Sequence, residues 1–222
     1  MMSFIKGLKY PDEYIIKYFF KKKFDKKKNK RVLELGCSNG NNLDLFFNYG
    51  WNTRGIDVSS KCISDANHNF DIIKMRHKLK NNFSFLKNDM LDFLEKEKKL
   101  DFNVIIFSNS LYYLDYSQIK RVLENLKKKV KKNTDIFFRI RLVDDFRAKL
   151  CKKKIMKKTY LINFNCTNEF RLKNTFFRKA EFENLLKKYF TIKEINMFKV
   201  KYENLIKNKT ILNSDLVLWL KT

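Results

Sequence analysis

The residues best equipped for chemistry cluster early in the chain. Four of its five glycines fall between Gly36 and Gly55, within Arg31-Val-Leu-Glu-Leu-Gly-Cys-Ser-Asn-Gly40 and the stretch that ends Gly55-Ile-Asp57. In a chain this poor in glycine they mark places where the backbone needs φ > 0 or has no room for a Cβ. They follow a short apolar strand and open an amphipathic segment, and Asp57 closes a second strand. A strand-to-helix turn of this kind presents backbone N–H groups, and the later carboxylate can accept from a ribose diol. The pattern reads as a cradle for a nucleotide cofactor.

The elements that must position this cradle are legible from periodicity. Tyr10-Pro11-Asp12-Glu13 should start a helix, with Pro11 in the first helical position, that buries Ile15, Tyr18 and Phe19 and ends at the basic run 21–31. Strands are expected at 31–35, 51–57, 83–87, 101–107 and 135–141, and helices at 41–49, 61–78 and 90–98. The clearest helix carries Ile119, Val122, Leu123, Leu126 and Val130 at helical spacing. Residues 143–175 break the rhythm, with β-like pieces at 160–164 and 169–172. A helix near 178–190 and two terminal strands, 191–201 and 211–220, complete the chain. Alternating strands and helices imply a doubly wound, mostly parallel sheet with helices on both faces and one antiparallel strand near an edge. One domain over residues 1–222 is expected, with 1–30 as an amino-terminal helix and basic segment and 143–175 as an insertion or lid.

Val32–Gly40 resembles motif I of the class I S-adenosylmethionine-dependent methyltransferases, an acidic residue followed by alternate glycines at the end of strand one. Gly55-Ile-Asp57-Val-Ser59 and Asn88-Asp89-Met90 strengthen the resemblance, which extends through 31–142; Ser38 replaces the middle glycine. The resemblance implies a Rossmann-like fold with a seven-stranded sheet and S-adenosylmethionine as cofactor. By position it implies that Glu34 orders the loop or meets the cofactor's ammonium group. Gly36, Cys37, Ser38, Asn39 and Gly40 would lie along the cofactor, Gly36 and Gly40 where a Cβ would clash with it. Asp57 and Val58 would sit at the ribose, Asp89 and Met90 at the adenine, and Asn109 near the methionine carboxylate. The start Lys6-Gly-Leu-Lys-Tyr-Pro-Asp-Glu13 is similar to small bacterial methyltransferases of surface-polysaccharide pathways, among them enzymes that O-methylate a phosphoramidate destined for capsular sugars.

Other chemistries fit less well. Gly36-Cys-Ser-Asn-Gly40 matches a hydrolase nucleophile elbow, yet both histidines, His68 and His77, precede the region where that chemistry needs its base. The G-x-G-x-x-G spacing of nicotinamide-dependent dehydrogenases is missing. Cysteines 37, 62, 151 and 166 form no C-x-x-C pair, so a zinc site is not expected. Asn109-Ser-Leu-Tyr112 lacks the two prolines used in adenine amino methylation. The net charge of +25 invites a nucleic-acid partner, but the basic runs 21–31, 127–132 and 152–158 are dispersed and read as solvated helix ends and loops. Neither a signal peptide nor a membrane span is evident, which makes the cytoplasm the default expectation.

The expected acceptor is therefore an anionic small molecule, nucleotide- or sugar-linked. Its pocket is expected to draw on Tyr10, Tyr14, Tyr112, Tyr113, Arg139 and Arg141, with Arg147 beyond them. Arg139 and Arg141 share one face of their strand, and an arginine pair on a buried strand needs anionic partners. No general base is apparent. An RNA-directed methyltransferase and a non-catalytic S-adenosylmethionine-binding partner subunit are the alternatives.

Overall fold

The computed structural model describes residues 4–151, 153–164, 167, 169–206 and 209–222. Seven strands form one sheet in the order β3-β2-β1-β4-β5-β10-β9. These are β1 (Arg31–Leu35), β2 (Asn52–Asp57), β3 (Phe83–Lys87), β4 (Val104–Ser108), β5 (Asp135–Arg141), β9 (Glu194–Ile206) and β10 (Lys209–Lys221). β2 and β4 flank β1 in parallel, β3 is parallel to β2, and β9 and β10 form an antiparallel hairpin. This is the Rossmann-like sheet expected from the alternating pattern. Among the described residues no helix is long and apolar enough to cross a membrane.

The chain divides into two compact units. The first, 1–108 with 129–137, contains α1 (Glu13–Lys21), α2 (Asn41–Asn48), α3 (Ser60–Arg76) and α4 (Met90–Lys96). Phenylalanine dominates its core. Phe19 of α1, Phe24 in the turn after it, Phe46 of α2 and Trp51 just before β2 meet edge-on at centroid distances of 4.9–5.3 Å, and Phe47, Phe70 and Phe85 continue the cluster. Removing any one of these fully buried rings should cost about 3–5 kcal/mol. Helix α1 starts two residues later than the proline suggests. Asp12 is the N-cap, its carboxylate accepting from the Tyr14 amide, and Pro11 lies outside the helix.

The second unit, 109–128 with 138–222, holds most of α5 (Tyr116–Lys129), α6 (Phe146–Leu150), α7 (Lys179–Tyr189), the β9–β10 hairpin and a small sheet, β6 (Lys154–Met156), β7 (Thr159–Leu161) and β8 (Lys173–Thr175). The irregular insertion thus has a fold of its own. The strand expected at 169–172 is instead a turn, and pairing resumes at β8. Thr175 Oγ1 donates to Leu114 O at 2.7 Å and shares a 2.7 Å hydrogen bond with Thr159, so this sheet is tied to the segment that follows β4. The first terminal strand starts three residues later than expected, at Glu194, and both run further into the hairpin turn because thirteen residues on each side keep antiparallel register.

Candidate cofactor site and acceptor cavity

Motif I is a tight turn between β1 and α2. Gly36 and Gly40 have φ of +81° and +82°, and Ser38 between them is also left-handed at +49°, a conformation an L residue adopts at a cost. Amides of Gly36 and Cys37 donate to Ile56 O at 2.8 and 3.0 Å, which fixes the turn against the end of β2. A Cβ on Gly40 would come within 2.8 Å of the Phe70 ring, and one on Gly55 within 2.6 Å of both Cys37 Sγ and Phe85. The protein's own packing therefore already demands glycine at positions 40 and 55. Burial pushes the Cys37 thiol well up and leaves it unreactive.

Acidic groups gather where β1, β2 and β3 end. Asp57 spans the turn: Oδ2 accepts from the Ser38 amide and Oδ1 from the Ser59 amide, both at 2.9 Å. Ser59 in turn caps α3. Asp89 caps α4, with Oδ1 taking the Leu91 and Asp92 amides at 2.8 and 3.3 Å; Met90 beside it is half-buried and Val58 is exposed. Glu34 is fully buried. Asn42 Nδ2 donates to its Oε1 at 2.7 Å, whereas Oε2 has no hydrogen bond among the described residues. Burial raises this carboxyl to about 8, with Asp12 and Asp57 adding to the effect and the Asn42 bond opposing it. A buried carboxylate oxygen without a donor is costly until something cationic or hydrogen-bonding meets it.

Asn39, within the motif I turn, has its side chain engaged by the protein itself. Its amide is turned to the amino-terminal segment and donates to Lys6 O and Leu8 O at 2.7 and 2.8 Å. Tyr10 and Tyr14 belong to the same unit. Tyr10 is 80% exposed with its carbonyl on Asn41, and Lys17 lies over the Tyr14 ring.

The second unit contains a cavity of about 250 Å³ lined by Asn109, Tyr112, Arg139, Arg141, Arg147, Tyr202, Asn213 and Asp215. Strand β5 puts Arg139 and Arg141 on one face, as alternation requires. Their anionic partners are internal. Arg139 forks onto Asp215 Oδ2 at 2.9 and 2.7 Å. Arg141 meets Glu169 at 2.6 Å, donates to Tyr112 and Asn174, and stacks 4.0 Å from the Tyr112 ring centroid. Arg147 joins Glu169, Asp145 and Asn213. Tyr113 donates to Glu169 at 2.7 Å and is outside the cavity lining. The two arginines and Tyr113 hold the Glu169 carboxyl below its usual range against the opposing effect of burial, which also raises Tyr112 well above the phenol range.

Sequence reading missed Glu169, Asn213 and Asp215. Asn213 and Asp215, two apart ahead of the apolar run 216–220 of β10, are a polar pair on one strand face, and that spacing was available. Asn213 is 3% exposed, and its Nδ2 has no hydrogen bond among the described residues.

A family model described as a methyltransferase domain matches residues 10–189. The chain belongs to that family. It is a class I methyltransferase, and its cofactor is S-adenosylmethionine. Among solved structures, an S-adenosylmethionine-dependent methyltransferase from Methanosarcina mazei superimposes with a TM-score of 0.61 at 17% identity, covering 88% of this chain and 93% of that one. One from Archaeoglobus fulgidus gives 0.62 at 15%, covering 98% and 96%. The magnesium protoporphyrin IX methyltransferase of Synechocystis PCC 6803, crystallised with bound S-adenosylmethionine, gives 0.58 at 12%, covering 95% and 77%. No curated protein matches the sequence. At such identities the likeness carries the methyltransferase fold and no substrate.

Proposed function

We propose that this methyltransferase alkylates an oxygen of a small anionic molecule, a phosphate or phosphoramidate linked to a sugar or nucleotide, held in the arginine-lined cavity. The cavity's composition carries this reading. Seven of its eight lining residues can donate hydrogen bonds and only Asp215 is acidic. Glu169 and Asp145 lie outside the lining and hold the guanidinium groups of Arg141 and Arg147 in fixed orientation. About 250 Å³ suits a small acceptor better than a polymer.

In this reading Asp57 accepts from the ribose hydroxyls, and Asp89 uses the oxygen left over from its cap for the adenine amino group while Met90 packs the ring. Glu34 offers Oε2 to the ammonium group. Backbone from Gly36 to Gly40 and Val58 lines the cradle, and Asn109 takes the methionine carboxylate, as its match to the family pattern implies. When bound, the cofactor supplies an electrophilic sulfonium methyl. The protein's task is to align the acceptor oxygen with it and to keep water out, so positioning supplies most of the rate. An oxyanion acceptor needs no general base.

Titrating S-adenosylmethionine against increasing salt, with CDP-linked phosphoramidates or with RNA present, tests this. Saturable turnover of the small anion is expected. Tight RNA binding with a steep salt slope and RNA methylation would establish the RNA-directed alternative, and cofactor binding without turnover of any acceptor would establish a partner subunit.

A further inference from the structure

Residues 4–12 are gripped by their backbone. Asn39 Nδ2 takes the carbonyls of Lys6 and Leu8; Asn69 accepts from the Lys6 amide at 2.8 Å and donates back to its carbonyl at 3.0 Å. Asn41 donates to Tyr10 O, and Asn42 Oδ1 accepts from the Asp12 amide, both at 2.9 Å. The segment's larger side chains do not anchor it, since Phe4, Leu8 and Tyr10 are 63–80% exposed. A stretch held by a few side-chain-to-backbone bonds and little apolar burial opens at low cost.

Of these asparagines, Asn42 alone joins the segment to an acidic side chain, whereas Asn69 bridges it to the Asn39 carbonyl. Asn42 Oδ1 is committed to the Asp12 N–H, which forces Nδ2 toward Glu34 Oε1 at 2.7 Å. We infer that Asn42 is a positioning residue that couples docking of the amino-terminal segment to cofactor binding through Glu34. If the segment leaves, the amide loses the donor that fixes its orientation, and Glu34 loses its one assured hydrogen bond. Conversely, a cationic group at Oε2 favours the ionised carboxylate, which strengthens the bond from Nδ2 and with it the hold on Asp12. Coupling of this kind is reciprocal. The inference rests on the reading of Glu34 as a cofactor residue.

Two measurements with S-adenosylhomocysteine test it: calorimetric affinity, and hydrogen exchange at the Lys6 amide, which Asn42 does not touch. In the native chain the ligand should slow exchange at Lys6. Asn42→Ala should weaken affinity by about tenfold and abolish that slowing. Lys6→Pro removes the backbone donor to Asn69 Oδ1 and the loose 3.9 Å ion pair to Asp65, both remote from Glu34 and Asn42, and should also weaken affinity, by about fivefold, the lower end of usual site-to-site couplings. Glu34→Gln separates the two ideas. If it leaves affinity unchanged, the reading of Glu34 fails. If it weakens affinity while Lys6→Pro does not, or if the ligand slows Lys6 exchange equally in native and Asn42→Ala protein, the coupling is overturned.

Discussion

At the residue scale, the fully buried Glu34 makes a prediction independent of any acceptor. Its carboxyl is raised from 4.5 to about 8, so the folded chain keeps a proton that the unfolded chain gives up across that window. Stability of the cofactor-free protein should fall as pH rises from about 4.5 to 8 through this group, because the native state binds more protons. Glu34→Gln should flatten that dependence, read as urea midpoints at pH 5 and pH 8. An equally steep slope in the variant would assign it to another group. Asp144 and Glu169 act oppositely. Both are held below their usual range, Asp144 by Lys199, Lys201 and Ser214, so their stabilisation is lost only at more acidic pH. The roles of Glu34 and Asp57 could be sought from sequence because motif spacing places them at strand ends. Asn42 could not, because its use depends on where residue 12 returns in space.

At the element scale, glycines and the insertion make separate claims. Gly55→Ala would place a Cβ 2.6 Å from Cys37 Sγ and Phe85, inside a packed strand interior. Destabilisation of about 1–3 kcal/mol is expected, seen as a Tm lower by roughly 2–4 °C for each kcal/mol. An unchanged Tm would mean that the β1 turn and β2 are not packed this closely. In the insertion, Glu169 joins Arg141, Arg147 and Tyr113. Glu169→Ala leaves two buried guanidinium groups short of a counter-charge and should cost about 3–5 kcal/mol, whereas Glu169→Gln, which keeps acceptor geometry for Tyr113, should cost less. Equal losses would show that charge is not what Glu169 contributes. Strands β1, β4 and β5 were legible because each carries a short apolar run between polar punctuation, and β2 because Gly55-Ile-Asp57 marks its end. The insertion was not, since its three-residue strands are too short for a period to register and its order comes from long-range pairs such as Thr159 with Thr175.

At the scale of the whole molecule, a net charge of +25 coexists with arginines that are matched inside the second unit. The charge that would attract nucleic acid is carried by dispersed surface lysines, and the arginines of the cavity are a separate, oriented set. Non-specific RNA binding should therefore weaken steeply with salt while cofactor affinity, which the proposed reading rests mainly on short-range hydrogen bonds, changes little. The sequence displayed the total charge but not this division, because partners such as Arg139 and Asp215 lie 76 residues apart. The functional reading depends on the ends of β1 and β2 holding an adenosyl group, and calorimetric binding of S-adenosylhomocysteine to native and Asp57→Ala protein tests that most directly. Saturable binding by the native chain and a loss of tenfold or more in the variant are expected, about 1.4 kcal/mol per tenfold; equal affinity in both, or no binding to the native protein, would contradict the account.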